Sequence, residues 1–294
     1  MNTEELPRIT LRNGVEMPVI GYGTMPADWS AGYGDEFIGT VKECIKAGYR
    51  NIDTAMVYHT ERHVGKAVQE CISDGIISRE DVFVSTKVWN TDRGYDNTLK
   101  AFDTSMERLG LEYLDLYLIH TPAVVKWHSD WKEINRSTWK AFEKLYRDGR
   151  IRAIGVCNFL PHHLLPLMGM ADIMPMVNQI EVHPGFNSAS TIRFCKDNNI
   201  AMEAWGPLGN GQVLQNEVLA AIAKQHNRSV AQICLRWIIQ QGIVPIPKST
   251  NLQRIKENLG VFDFMLSEED MQTISGLPVC GGFCVDADNA PEDE

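Results

Sequence analysis

Asp53, Lys87 and His120 each close a short apolar or β-branched run, and Tyr58 follows shortly after the first of them. A carboxylate, a phenol, an ammonium and an imidazole are groups that move protons and hold charged oxygens. A lysine kept out of water needs an opposite charge, which Asp53 supplies. An ammonium beside Tyr58 favours the phenolate and pulls the phenol down from its ordinary value of about 10. A phenol tuned in this way is a general acid, and His120 can hold a substrate oxygen by hydrogen bonding. Together the four suit a carbonyl oxygen that gains charge as its carbon is attacked. Taken singly, each has a plainer reading as a helix cap, a surface lysine or a core histidine. Their joint placement on consecutive strand ends favours the chemical one.

The elements that must position them can be read from periodicity. An N-terminal hairpin is predicted from Arg8–Leu11, the turn Asn13-Gly14 and Val15–Ile20, because both turn positions need positive φ. Strands are then predicted at Val19–Gly21, Tyr49–Asp53, Val82–Lys87, Tyr113–Ile119, Ile151–Val156, Met176–Glu181, Ile200–Trp205 and Gly242–Ile246. Leu116-Tyr117-Leu118-Ile119 is apolar at consecutive positions, as parallel strands covered on both faces are. Between strands, Leu99, Phe102, Met106 and Leu109 recur at helical spacing, as do Val230, Ile233, Cys234, Trp237 and Ile238.

Eight strands, each followed by a helix, predict an α/β fold, a (β/α)8 TIM barrel with an N-terminal β-hairpin. In such a barrel, chemistry sits at the C-terminal strand ends. An open doubly wound sheet is the rival. Its fingerprint fails here, since Gly21-Tyr22-Gly23-Thr24-Met25-Pro26 lacks the third Gly of G-x-G-x-x-G, and no phosphate-binding G-x-x-x-x-G-K-[ST] occurs. One domain is read over 1–294, with 280–294 as an acidic, loosely packed extension.

The 294 residues carry 28 basic and 38 acidic side chains, a net charge of −10, which disfavours a nucleic-acid groove or an anionic membrane surface as partner. Hydrophobic residues at 44% and charged residues at 22% argue for a folded chain rather than a disordered one. No apolar run approaches the roughly 18–20 residues that span a bilayer. Met1 to Pro7 is polar and acidic, unlike a signal peptide. The seven cysteines are odd in number and scattered, so reduced thiols and a cytoplasmic location are expected.

The segments Asn51-Ile52-Asp53-Thr54-Ala55-Met56-Val57-Tyr58, Ser85-Thr86-Lys87-Val88-Trp89 and Leu118-Ile119-His120-Thr121-Pro122 resemble the signature segments of the aldo-keto reductases. Ile154-Gly155-Val156-Cys157-Asn158-Phe159, Asn178-Gln179-Ile180-Glu181-Val182-His183-Pro184, Trp205-Gly206-Pro207-Leu208-Gly209 and Ile246-Pro247-Lys248-Ser249-Thr250 extend the match, in order, along nearly the whole chain. The Trp205-Gly206-Pro207-Leu208 form resembles the bacterial branch that includes the 2,5-diketo-D-gluconate reductases.

The resemblance implies an NADPH-dependent oxidoreductase that reduces aldehydes or ketones without metal. It implies that Tyr58 donates the proton, that Lys87 and Asp53 tune it, and that His120 orients the carbonyl. Asn158 and Gln179 would hold the nicotinamide carboxamide, and Trp205 would stack on the ring. Gly23, Thr24, Met25, Gly206 and Leu208 would line the cofactor. Lys248, Ser249, Thr250 and Arg254, with Glu257 and Asn258, would grip the adenosine end. Two cations beside hydroxyls at a helix start suit a 2′-phosphate. Met25, Trp89 and His120 would face a small-molecule carbonyl substrate, and a monomer is expected.

Some positions depart from the family pattern. Cys157 and Gly206 stand where Ser is frequent, and Thr121 and Met25 stand where Trp is. The latter two imply a wider or more polar pocket, which Trp127 or Trp131 would line or else cap. One rival is a non-catalytic NADP-binding regulatory barrel. Another is a metal-dependent hydrolase, but His59-Thr60-Glu61-Arg62-His63 misses the H-E-x-x-H spacing.

Overall fold

A computed structural model describes residues 6–26, 32–124, 129–284 and 286–289. Strands β1 (Arg8–Thr10) and β2 (Glu16–Pro18) pair antiparallel across the Asn13-Gly14 turn. Gly14 takes φ +86, the left-handed region for which glycine carries no penalty.

Eight parallel strands follow: β3 (Tyr22–Gly23), β4 (Asn51–Asp53), β5 (Phe83–Val88), β6 (Leu114–Ile119), β7 (Ile151–Cys157), β8 (Val177–Glu181), β9 (Ala201–Trp205) and β10 (Ile243–Pro245). Each pairs with the next in chain order. The ring closes where the Gly21 N–H donates to Pro245 O at 2.9 Å and the Gly23 N–H to Pro247 O at 3.0 Å. A Cβ on Gly23 would lie 3.2 Å from Ile246 Cγ2, so the small residue lets these strands meet.

Every residue of β5 and β6 is buried, which is why β6 runs apolar over Leu116-Tyr117-Leu118-Ile119, whereas β5 buries Ser85, Thr86 and Lys87 as well. The outer layer is α1 (Glu36–Ala47), α2 (Glu61–Ser73), α3 (Tyr95–Leu109), α4 (Trp131–Arg147), α5 (Pro161–Met168), α6 (Ala189–Asp197), α7 (Glu217–His226), α8 (Val230–Gln240), α9 (Leu252–Leu259) and α10 (Glu268–Ser275). Phe102, Met106 and Leu109 of α3 and Ile233, Cys234, Trp237 and Ile238 of α8 are buried, as their spacing requires.

The first barrel strand lies later than Val19–Gly21. The Val19 N–H donates to Pro7 O at 3.0 Å, so that apolar run extends the hairpin before the chain enters the barrel. No described helix is long and apolar enough to cross a membrane.

Candidate active site

Asp53 ends β4, Lys87 is the penultimate residue of β5 and His120 follows β6 directly. Parallel register carries all three to the same rim. Lys87 Nζ donates to both carboxylate oxygens of Asp53 at 2.7 Å and to Thr54 O at 3.0 Å. Asp53 Oδ1 also accepts from Ser85 Oγ and from Gln179 Nε2, each at 3.0 Å. Burial pulls the Lys87 ammonium down, but Asp53 and its other neighbours more than offset that and hold it above the ordinary lysine range.

Tyr58 sits on the short turn Met56–Tyr58, its ring centre 4.9 Å from Lys87 Nζ. Burial lifts its hydroxyl above the ordinary phenol range, and Lys87 offsets only part of that rise. The expected lowering by the ammonium is therefore outweighed. The sequence displays the charge but not the loss of water around it.

His120 stands edge-on to Tyr58, with ring centres 5.6 Å apart, and edge-on to Trp89 at 4.9 Å. Burial, with the charges of Lys87 and Arg93, holds the imidazole well below its ordinary range, so it is neutral near pH 7. Among the described residues its buried Nδ1 has no hydrogen-bond partner.

Next to this group lies a wall of amides and indole. Asn158 adopts φ +64; its Nδ2 donates to His120 O at 3.1 Å, and its Oδ1 accepts from Trp205 Nε1 at 2.8 Å. The Trp205 ring is thus pinned by Asn158, a link that sequence reading did not find. Gln179 is buried and spends its amide N–H groups inside the barrel. Cys157, in place of Ser, reaches Gln179 Oε1 only through a 3.8 Å thiol contact.

Gly206 has φ +59, so the residue that departs from the family's frequent Ser suits its left-handed backbone. Leu208 is half-buried, and its carbonyl accepts the Gly211 N–H at 2.8 Å. Thr24 is buried and donates to Asp53 O at 2.9 Å, while Met25 is half-buried beside it. Trp131 packs edge-on to His163 of α5 at 5.0 Å, and Trp127 lies outside the described residues.

Lys248, Ser249 and Thr250 follow β10 and lead into α9. Asn251 caps that helix, accepting the Arg254 N–H at 3.1 Å, and Tyr22 Oη donates to Ser249 O at 2.7 Å. Arg254 is exposed and Lys248 half-buried, and among the described residues neither meets a carboxylate. Glu257 is half-buried and Asn258 buried on the same helix. Two uncompensated cations at a helix N-terminus, an indole face and inward-turned amides make a donor set that fits a phosphorylated nicotinamide dinucleotide.

The chain after α10 crosses this region. The Gly282 N–H donates to Gly209 O at 3.1 Å, the Phe283 N–H donates to Glu181 Oε1 at 2.7 Å, and the Phe283 ring lies 6.1 Å from Trp205. Gly282 has φ +91, and a Cβ there would fall 2.1 Å from His183 Nε2, so a side chain is excluded.

A barrel whose rim gathers a carboxylate, an ammonium, a phenol and a neutral imidazole beside an anion-ready helix start belongs to the reductases of carbonyl groups. The Aldo/keto reductase family model matches residues 19–278. The chain is 51% identical over 272 residues to 9,11-endoperoxide prostaglandin H2 reductase of Trypanosoma cruzi, covering 92% of this chain and 90% of that one. It is 49% identical over 277 residues to glyoxal reductase of Bacillus subtilis, covering 94% and 95% respectively. A crystal structure of a Bombyx mori aldo-keto reductase in complex with NADP superposes with TM-score 0.88 at 34% identity, over 98% of each chain. The chain belongs to the aldo/keto reductase family. It is an NADPH-dependent oxidoreductase.

Proposed function

We propose that this chain reduces aldehydes or ketones to alcohols, with Tyr58 protonating the carbonyl oxygen and Asp53, Lys87 and His120 supporting that step. The observation that carries the reading is the water-excluded Asp53–Lys87 pair, 2.7 Å from Nζ to each oxygen, set against the Tyr58 ring beside a neutral histidine.

Bound NADPH supplies a hydride to the carbonyl carbon. Tyr58 keeps its proton at working pH because burial raises its hydroxyl, and it releases that proton as the substrate oxygen becomes a strongly basic alkoxide. Lys87 stabilises the phenolate left behind, and Asp53 keeps Lys87 charged. His120, being neutral, donates one ring N–H to the same oxygen without adding charge.

Asn158 and Gln179 are assigned to the nicotinamide carboxamide and Trp205 to the ring face. Gly23, Thr24, Met25, Gly206 and Leu208 line the cleft between them. Lys248 and Arg254 take the 2′-phosphate, with Ser249, Thr250, Glu257 and Asn258 around the adenosine. Met25, Trp89 and His120 face the substrate. We further place the protein in the cytoplasm as a monomer. Seven unpaired thiols support that location, and light scattering tests the monomer.

The two named relatives act on a small dicarbonyl and on a large prostanoid, so the test is a panel spanning glyoxals, sugars, keto acids and steroids. NADPH consumption with at least one carbonyl class is expected. A chain that binds NADPH and reduces none of them would instead be the regulatory barrel.

A further inference from the structure

Glu203 lies at the centre of β9, fully buried, directly opposite Gln179 in the β8–β9 register. Its Oε2 accepts from Gln179 Nε2 at 2.9 Å, and its Oε1 accepts from Asn51 Nδ2 at 3.1 Å. The same Gln179 nitrogen reaches Asp53 Oδ1 at 3.0 Å. A side-chain amide has two N–H hydrogens, and here both are committed, one to each carboxylate. The amide cannot turn over, because its carbonyl would then face two carboxylates.

We propose that Glu203 is a positioning residue: with Asp53 it clamps the N–H groups of the Gln179 amide, so that Oε1, which among the described residues meets the Cys157 thiol at 3.8 Å, is the atom turned to a further donor. This rests on the reading of Gln179 as a holder of the nicotinamide carboxamide, whose own NH2 is such a donor. The clamp works in either protonation state, since a carboxyl oxygen accepts an N–H whether or not the group is ionised. That matters because burial, with Asp53 nearby, pushes Glu203 up to about 7. Lys87, the one cation near the two carboxylates among the described residues, is committed to Asp53. Asn51 Oδ1 has no partner among the described residues, so the Asn51 amide can turn to accept a proton from Glu203 without losing a bond at that atom.

The test compares NADPH with 2′,5′-ADP, a fragment that lacks the nicotinamide, by calorimetric titration. Glu203→Leu removes the acceptor, and NADPH binding is expected to weaken about tenfold, the worth of one buried hydrogen bond, with the fragment within about twofold. Glu203→Gln keeps a carbonyl oxygen at the same place and is expected to restore NADPH binding to within about threefold. Unchanged NADPH affinity in Glu203→Leu, an equal loss for the fragment, or failure of Glu203→Gln to restore binding would each overturn the clamp. If Glu203→Leu does not fold, Glu203→Gln still serves: the nitrogen-15 signal of the Gln179 side-chain amide should shift, and an unmoved signal overturns the proposal. A wild-type chain that binds the fragment but gains nothing from the nicotinamide would overturn the carboxamide reading itself.

Discussion

Lys87 and Asp53 form a two-pronged pair, 2.7 Å from Nζ to each carboxylate oxygen, with the ammonium fully buried and the carboxylate 6% exposed. Breaking such a pair from one side strands a charge. Lys87→Met is expected to lower the free energy of unfolding by about 3–5 kcal/mol. Asp53→Asn combined with Lys87→Met should recover most of that, while turnover stays low in both. Urea unfolding and turnover measured together check this, and simple additivity of the two single losses would contradict it.

Asn158 holds Trp205 from a left-handed backbone at φ +64. Glycine tolerates that conformation and alanine does not, so Asn158→Ala is expected to be about 1 kcal/mol less stable than Asn158→Gly. Both should alter the tryptophan emission by releasing the indole N–H. Thermal unfolding that ranks alanine above glycine would refute the strain argument.

His120 is held well below its ordinary range by burial and by Lys87 and Arg93. The unfolded chain, with a histidine near about 6.5, therefore binds more protons as pH falls, and stability present above that value is lost on acidification. His63 and His163 are shifted the same way, His163 to about 4. Glu203 acts oppositely: its contribution is full below its unfolded value and is lost as pH rises through about 7. His120→Gln is expected to flatten the acid-side slope of stability by up to one proton. An unchanged slope between wild type and variant would mean that His120 is not held neutral.

Lys248 and Arg254 meet no carboxylate among the described residues. Lys248→Ala and Arg254→Ala are each expected to weaken NADPH about tenfold or more while leaving NADH nearly unaffected, since only the former carries the 2′-phosphate. Equal losses for both dinucleotides, measured by titration at one fixed ionic strength, would remove phosphate recognition from these residues.

The barrel was legible where two-sided burial leaves consecutive apolar residues, as in Leu116-Tyr117-Leu118-Ile119 of β6, and less so in β5, which buries Ser85, Thr86 and Lys87. The ring's closure was not, since Gly21 and Gly23 bond to Pro245 and Pro247 from the far end of the chain. Asp53, Lys87 and His120 were legible as strand ends. The electrostatic balance at Tyr58 was not, because it depends on lost water rather than on the neighbouring charge alone. Glu203 passed unnoticed as one residue of a strand; only the curled sheet turns its carboxylate inward against Gln179 and Asn51.

Replacement of Tyr58 by Phe removes one oxygen and nothing else from the rim, so kcat/KM for a reduced aldehyde, read beside the dissociation constant for NADPH, weighs the phenol directly. A fall of about 10²–10⁴ with NADPH affinity intact is the expected result. Turnover close to wild type would take the proton transfer away from Tyr58.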